Sequence, residues 1–398
     1  MQTVAIIGGG ASGIIAALTA SENKENQILL FEKEERIGRK ILSTGNGRCN
    51  LSNYNADISH YYGTSPHFIE QALSRYGVNE TLDFFASLGL LTKSEPDGRI
   101  YPNSNQAAGV LDILRFSLER DNITVFTDCC VTSAKMKKDH FVLTTARGTF
   151  TADKLIVACG GSAAPKLGGC SFGYDLLRSF GHHIVPLSPA LVQLKTDMTY
   201  IKALKGIKSD AQVKLLSGKK ILAEIIGEVL FTEYGISGPA VFSISRHLRG
   251  YENNARVELN LLPDLTFAQI MQMLSLPRKT TCENLLTGLL SKRLGQSVIK
   301  FCGIPLSKEI SDLTEPKKKK ITSALLCFPL EVRGTTGFAN AQVTAGGALT
   351  DEFDAETMQS RHVSGLYACG EVLDIDGDCG GYNLQWAWSS GRLAGKLL

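Results

Sequence analysis

A glycine run at the start of the chain constrains it more than any other feature. Residues 3–7, rich in Ile and Val, read as a short buried strand that stops at Gly8-Gly9-Gly10-Ala11-Ser12-Gly13. Ile14, Ile15, Ala17 and Leu18 then follow at helical spacing. GxGxxG between a strand and a helix has a mechanism. Gly8 permits the tight turn, Gly10 lets backbone approach a pyrophosphate, and Gly13 allows close helix–strand packing. The helix start at Ala11 and Ser12 offers free N–H groups and a partial positive charge to phosphates. A second strand, residues 27–31, ends in Glu32, 19 residues past Gly13, where an acid meets a ribose diol. All five parts in register predict dinucleotide binding. The competing reading is a structural turn with Glu32 solvated.

The next segment separates FAD from NAD. Glu32-Lys33 runs into RIGRKILSTGNGRCNLSN, residues 36–53, where an NAD domain would go straight to its next helix. A flavoprotein uses such a loop to cover the pyrophosphate. Arg39, Lys40 and Arg48 offset diphosphate charge in this reading, and Ser43, Gly45 and Gly47 allow close backbone approach. Each basic residue alone reads equally well as a surface charge; the cluster beside the fingerprint favours binding.

A chain of 398 residues exceeds one core, so two or three domains are expected. The longest apolar runs are broken by Gly and Ser, which argues against a membrane span. Met1-Gln2-Thr3 supplies no basic leader, so a cytoplasmic location is expected. The ten cysteines form no CxxC and no zinc-finger spacing with His, so reduced thiols and no metal are expected. The adjacent Cys129 and Cys130 suit a strand. Residues 195–322 carry 20 Lys+Arg against 12 Asp+Glu, a net of +8, while the remainder carries 22 against 27, a net of −5. A basic middle suggests an anionic partner.

GGGASG, GRKILSTGNGRCNLSN, GEVLFTEYGISGPAVFSIS, VTAGGALT and GLYACGEVLDIDGDCGGYNLQWAWSSGRLAG together resemble the bacterial NAD(P)/FAD-dependent oxidoreductases that include aminoacetone oxidase and a proposed bile-acid dehydro-reductase. Some members are linked to reducing a uridine in ribosomal RNA. The resemblance runs end to end. It implies an α/β fold: a Rossmann-like FAD-binding domain split in sequence (1–190 and 340–398), a β-barrel-like middle domain (191–262 and 323–339) and a small inserted helical domain (263–322). It also implies FAD contacts at Gly8, Gly10, Ser12, Gly13, Glu32, Lys33, Lys40, and the turn Gly47, Arg48, Cys49 and Asn50. Further contacts fall at Val131, Gly370, Glu371, Asn383 and Leu384. Many flavoproteins read GD where this chain has Gly370-Glu371; Glu still accepts a ribityl hydroxyl.

Read from its residues, Ile123–Phe126 and a strand from Val131 form a pair, followed by a hairpin at Arg147-Gly148 and a buried strand at 154–158. Residues 191–262 alternate as strands, with a turn at Ser217-Gly218-Lys219. Leu285, Leu286, Leu289, Leu290 and Leu294 recur at helical spacing. Residues 365–368 form a last parallel strand, and Gly380-Gly381-Tyr382-Asn383 opens a helix whose N-terminus points at the flavin pyrimidine edge. Trp386 and Trp388 on that helix are expected to pack against the first helix.

With Cys49 the lone thiol in the loop and no second dinucleotide fingerprint, a disulfide-reductase mechanism is disfavoured. The expectation is NAD(P)H as a transient electron donor, with reduction of a C=C or C=N bond. Tyr234, Ser237 and Tyr382 are proton-donor candidates, although Gly235 and Gly238-Pro239 read equally as a barrel turn. The substrate is a small molecule or RNA: phosphates would draw the Lys317–Lys320 run, which reads as well as a solvated helical face. Open alternatives are an oxidase of a small amine such as aminoacetone, a flavoprotein reducing ribosomal RNA uridine, and a non-catalytic RNA-binding flavoprotein.

Overall fold

A computed structural model describes residues 1–398. The chain divides into two compact units, 1–188 with 342–398, and 189–341. No helix is long and apolar enough to cross a membrane.

The first unit is built on a five-stranded parallel sheet. Its order is Leu366–Ala368, Lys154–Val157, Gln2–Ile7, Asn26–Phe31 and Ile123–Phe126. Ala5 lies opposite both Leu155 and Leu29, so Gln2–Ile7 occupies the centre. Its residues Val4 to Ile7 are buried, as a strand covered on both faces must be. One cover is an antiparallel sheet of Val131–Lys137, His140–Thr145 and Gly148–Ala152; its Phe150 packs on Phe31 with ring centroids 5.0 Å apart. The expected pairing of Ile123–Phe126 with the strand from Val131 is therefore corrected. The two belong to different sheets, because Ile28 to Phe31 provide an open edge that Ile123–Phe126 extends in parallel. Cys129 and Cys130 lie in the connection between them, not in a strand.

The glycine turn behaves as its spacing dictates. Gly8 has φ +110°, and a Cβ there would lie 2.3 Å from the Ala158 carbonyl oxygen. A Cβ on Gly13 would lie 1.9 Å from the Gly8 carbonyl oxygen, so only glycine lets the helix Ala11–Ala20 sit this close to the strand. That helix packs along the last helix, Tyr382–Lys396, where a Cβ on Gly391 would come within 2.5 Å of the Ser12 carbonyl oxygen. Glycines permit this close approach. Trp386 meets Phe68 edge-on and Trp388 meets Phe85. Their indoles donate to the carbonyls of Gly370 and Leu51 at 3.1 and 2.9 Å.

The second unit holds a closed six-stranded antiparallel barrel. Its order is Leu194–Thr196, Gly235–Ser237, Lys220–Phe231, Lys208–Ser217, Ala255–Asn260 and Phe328–Thr335, which pairs back to Leu194–Thr196. Closure removes the exposed edges of an open sheet. Ala211, Val213 and Leu215 point inward, alternating with Gln212 and Lys214. The helices Phe267–Leu274, Lys292–Phe301 and Glu315–Leu326 share one core with the barrel. The first carries a reciprocal capping box between Thr266 and Gln269. Leu285, Leu286, Leu289 and Leu290 are not helical, contrary to their spacing. Gly288, at φ +96°, breaks the segment into turns, and the helix starts only at Lys292. Leu285 and Leu286 are buried all the same. Burial of leucines does not need the helix.

Candidate functional site

In the first unit, the chain's start and end meet at the carboxyl edge of the parallel sheet. No side chain caps the helix Ala11–Ala20 at Gly10, so its first-turn N–H groups remain open to a ligand. A Cβ on Gly10 would meet nothing within 4 Å. Beside this turn, Glu32 Oε2 accepts the Gly9 N–H and Oε1 accepts the Glu34 N–H, both at 2.9 Å. The carboxylate is thus fixed at the strand end. The Cys129 N–H donates to the Glu32 carbonyl at 2.9 Å, which brings Val131 into the same neighbourhood.

On the other side, Ser12 abuts Gly370: a Cβ there would lie 2.5 Å from Ser12 Oγ. Gly370 N–H donates to Ser390 Oγ at 3.0 Å. Glu371 Oε2 pairs with Lys40 Nζ at 2.8 Å, and its Oε1 accepts the Thr344 N–H at 2.8 Å. Lys40 and Glu371, both expected at the cofactor, thus hold each other.

The other basic residues are also paired internally. Lys33 lies 3.9 Å from Glu34, and Arg39 bonds Glu34 and donates to the Lys166 carbonyl. Arg48 bonds Glu95 at 2.5 Å and lies 3.8 Å over the Tyr101 ring. The positive charge of this loop is largely met by acids of the same unit, Glu34 nearby and Glu95 and Glu371 from distant segments. Ser43 is exposed and donates to the Lys40 carbonyl, and Gly47 is exposed as well.

Cys49 is buried, and desolvation pushes its thiol up to about 12, so it is not poised as a thiolate. Asn50 follows, with its Oδ1 buried and without a hydrogen-bond partner. That atom would lie 2.9 Å from a Cβ on Gly381, which caps the last helix with no side-chain hydrogen bond. Ser52 Oγ donates to Gln385 Oε1 at 2.6 Å, tying the RCNLSN stretch to the same helix. Asn383 uses its side chain internally: Oδ1 accepts the Gly377 N–H and Nδ2 donates to the Gly377 carbonyl, each at 2.8 Å. Leu384 is half-buried beside it.

Tyr382, the first residue of the last helix, is buried, and desolvation raises its phenol to about 12. Its ring stacks on His60 at 4.4 Å. His60 Nδ1 lies 3.0 Å from Asp378 Oδ2, and the Tyr62 hydroxyl donates to Asp378 Oδ1 at 3.0 Å. The sequence reading missed His60, Tyr62 and Asp378. The available signal was weak: an acid two residues before the Gly380-Gly381 turn, and a histidine in a chain with only seven.

Tyr234 and Ser237 lie in the barrel unit. The Tyr234 carbonyl accepts the Thr196 N–H at 3.1 Å, and Ser237 is buried in its strand. His182, Glu352 and His362 converge with ligand atoms within 4.8 Å of one another. Ser360 Oγ accepts the N–H groups of His362 and Val363 at 3.1 and 3.0 Å, so its proton faces His182 Nε2 at 2.9 Å. His182 Nδ1–H then faces Glu352 Oε2 at 3.1 Å. This reads as a hydrogen-bond chain that engages both ring nitrogens of His182.

Comparison with known proteins agrees with this architecture. The chain is 43% identical over 404 residues to the 3-dehydro-bile acid delta(4,6)-reductase of Clostridium scindens, covering 100% of this chain and 98% of that one. It is 33% identical over 393 residues to the ribosomal RNA dihydrouridine synthase of Haemophilus influenzae, covering 97% and 95%. The solved 3-ketosteroid delta1-dehydrogenase of Sterolibacterium denitrificans shares the fold at a TM-score of 0.51 and 11% identity, covering 100% and 99%. Residues 2–397 match the family described as the HI0933-like protein Rossmann domain, and the chain belongs to that family.

Proposed function

We propose that the protein is an FAD-dependent reductase of a carbon–carbon double bond conjugated to a carbonyl, with NAD(P)H as transient electron donor. One observation carries the reading: two uncapped helix starts, at Gly10 and Gly381, lie in one unit with the partnerless Asn50 Oδ1 beside the second. An anionic dinucleotide with a polar ring system fits such a set. The open N–H groups of Ala11, Ser12 and Gly13 would take the diphosphate, Glu32 the ribose hydroxyls, and Val131 the adenine side. Lys40 and Glu371 would hold the ribityl region, and Asn50 with the N–H groups of Asn383 and Leu384 the ring edge. FAD, when bound, supplies the two-electron transfer.

The substrate class follows from what the relatives' names have in common. A 3-oxo compound with double bonds at positions 4 and 6 is a conjugated enone, and the C5=C6 bond of uridine is likewise conjugated to a carbonyl. One reaction therefore serves both: hydride to the distal carbon, then a proton to the carbon next to the carbonyl. The barrel unit's excess of Lys and Arg keeps an RNA substrate as a second reading beside a small molecule. All ten cysteines are free, which suits a reducing cytoplasm. Tyr234 and Ser237 stay as substrate-side candidates.

The test is a visible spectrum of the purified protein, then anaerobic titration with NADH and NADPH. The expected result is a flavin spectrum that bleaches. A colourless, folded protein that ignores added FAD overturns the reading. A steep loss of RNA affinity with salt separates the RNA substrate from a small one.

A further inference from the structure

The geometry points to His60, oriented by Asp378, as the acid that protonates the substrate carbon beside the carbonyl; the inference rests on the reductase reading above.

His60 ends a short turn, Ile58–His60, and the next two residues, Tyr61–Tyr62, pair antiparallel with Asp376–Gly377. This ladder sets residues 318 positions apart side by side. Asp378 N–H donates to the His60 carbonyl at 3.0 Å, and Asn383 Nδ2 donates to the Asp378 carbonyl at 3.2 Å. Both carboxylate oxygens are engaged, one by His60 Nδ1 and one by Tyr62. A carboxylate only accepts, so Nδ1 carries a proton and Nε2 is the end free to give or take one. The imidazole lies nearly parallel to the Tyr382 ring, at 19°, on the residue that opens the last helix. Its side chain is 32% exposed, so water can restore the proton.

The other titratable groups around this turn serve the role less well. Burial pushes up the hydroxyls of Tyr61 and Tyr382 and the thiol of Cys379, which makes each a weaker acid. Asp57, with its charge near His60, Asp97, with its charge near Tyr382, Asp376, opposite Tyr62, and Arg99, beside Gly380 and Cys379, also surround this turn; Asp57 is held low by hydrogen bonds from Ser59. Imidazole is the side chain that ordinarily exchanges protons near neutral pH.

With FAD bound and reduced, the cofactor would supply a hydride to the distal carbon as the C=C π bond breaks. Its electron pair moves toward the carbonyl. The Nε2–H bond of the imidazolium then breaks and that proton forms the new C–H bond. Asp378 stabilises the imidazolium and acts as a positioning residue.

The test uses the FAD-loaded protein, reduced anaerobically with dithionite and mixed with cyclohex-2-enone. His60→Gln is expected to keep the flavin spectrum and its reduction while slowing reoxidation by enone ~100-fold or more. His60→Ala is expected to recover part of the rate with added imidazole. Independently of turnover, nitrogen-15 spectra of the imidazoles are expected to show His60 protonated at Nδ1, a signal that Asp378→Asn displaces. Reoxidation of His60→Gln within about threefold of wild type overturns the proposal, as does an Nε2-protonated His60 indifferent to Asp378→Asn. A wild type that holds flavin but is reoxidised neither by the enone nor by uridine-containing RNA overturns the reductase reading itself.

Discussion

Lys40 Nζ lies 2.8 Å from Glu371 Oε2, joining the loop after the second strand to the turn before the last helix across 331 residues. The pair is partly shielded, with side-chain exposures of 32% and 18%. Lys40→Met would leave Glu371 only the Thr344 N–H as a partner. A half-satisfied carboxylate at the proposed cofactor edge should repel electron density there. The expected outcome is FAD affinity lower by about tenfold, or ~1.4 kcal/mol, with Glu371→Gln milder because its amide oxygen still accepts the Thr344 N–H. Quenching of flavin fluorescence on titration measures both.

The close approach of the first and last helices gives a sharper expectation. A methyl on Gly391 would sit 2.5 Å from the Ser12 carbonyl oxygen, and one on Gly395 would sit 2.7 Å from the Ala16 carbonyl oxygen. Backbone cannot yield as a flexible side chain does. Gly391→Ala should cost about 1–3 kcal/mol, the range for overpacking a tight contact, despite the better helix propensity of alanine. Chemical denaturation reads this directly; a more stable variant would mean that the helices are not packed as described.

Acid should loosen the far side of the same unit. Burial lowers the pKa of His182, so its protonation favours the unfolded chain. Burial alone would raise Glu352, but hydrogen bonds from His183, His182 and His362 outweigh it and the net shift is downward. Both groups act with the same sign. His182 contributes stability above the ordinary His value near 6.5, lost as pH falls through its folded value. Glu352 contributes stability above the ordinary Glu value near 4.5, lost as pH falls through its own lower one. The melting temperature should therefore fall in two stages on acidification, the first below the ordinary His value and the second below the ordinary Glu value, and Glu352→Gln should flatten the second.

Legibility from sequence followed distance along the chain. Gly8, Gly13 and Glu32 were readable because a turn, a helix and a strand end are local matters of spacing. Gly381 was readable because paired glycines before a helical pattern mark a helix start. The strands of the second unit, too, were visible in alternation such as Ala211, Val213 and Leu215, while the barrel itself came from the family resemblance. What failed was non-local or degenerate. His60 and Asp378 meet through a two-residue ladder that no periodicity announces. The loop arginines looked free because the acids that hold them, Glu95 for Arg48 and Glu34 for Arg39, are chosen by folding and not by composition. Leucine spacing at 285–290 misled because turns also bury leucines, and one glycine sufficed to break the helix.

Asn50 offers the most discriminating expectation, because its two roles pull in opposite directions. Its Oδ1 is buried with no partner in the protein alone, a situation that costs about 1–3 kcal/mol. Asn50→Leu, similar in size and free of that unpaired atom, should raise the melting temperature of the cofactor-free protein. If the amide meets the flavin ring edge, the same substitution should weaken FAD binding, because the ring's polar group then loses its partner. Thermal melts with and without FAD separate the two: the variant should gain stability in the first condition and lose the ligand-induced increment in the second. A substitution that leaves the FAD increment intact would place Asn50 away from the ring, and would leave its buried oxygen as a structural cost of folding alone.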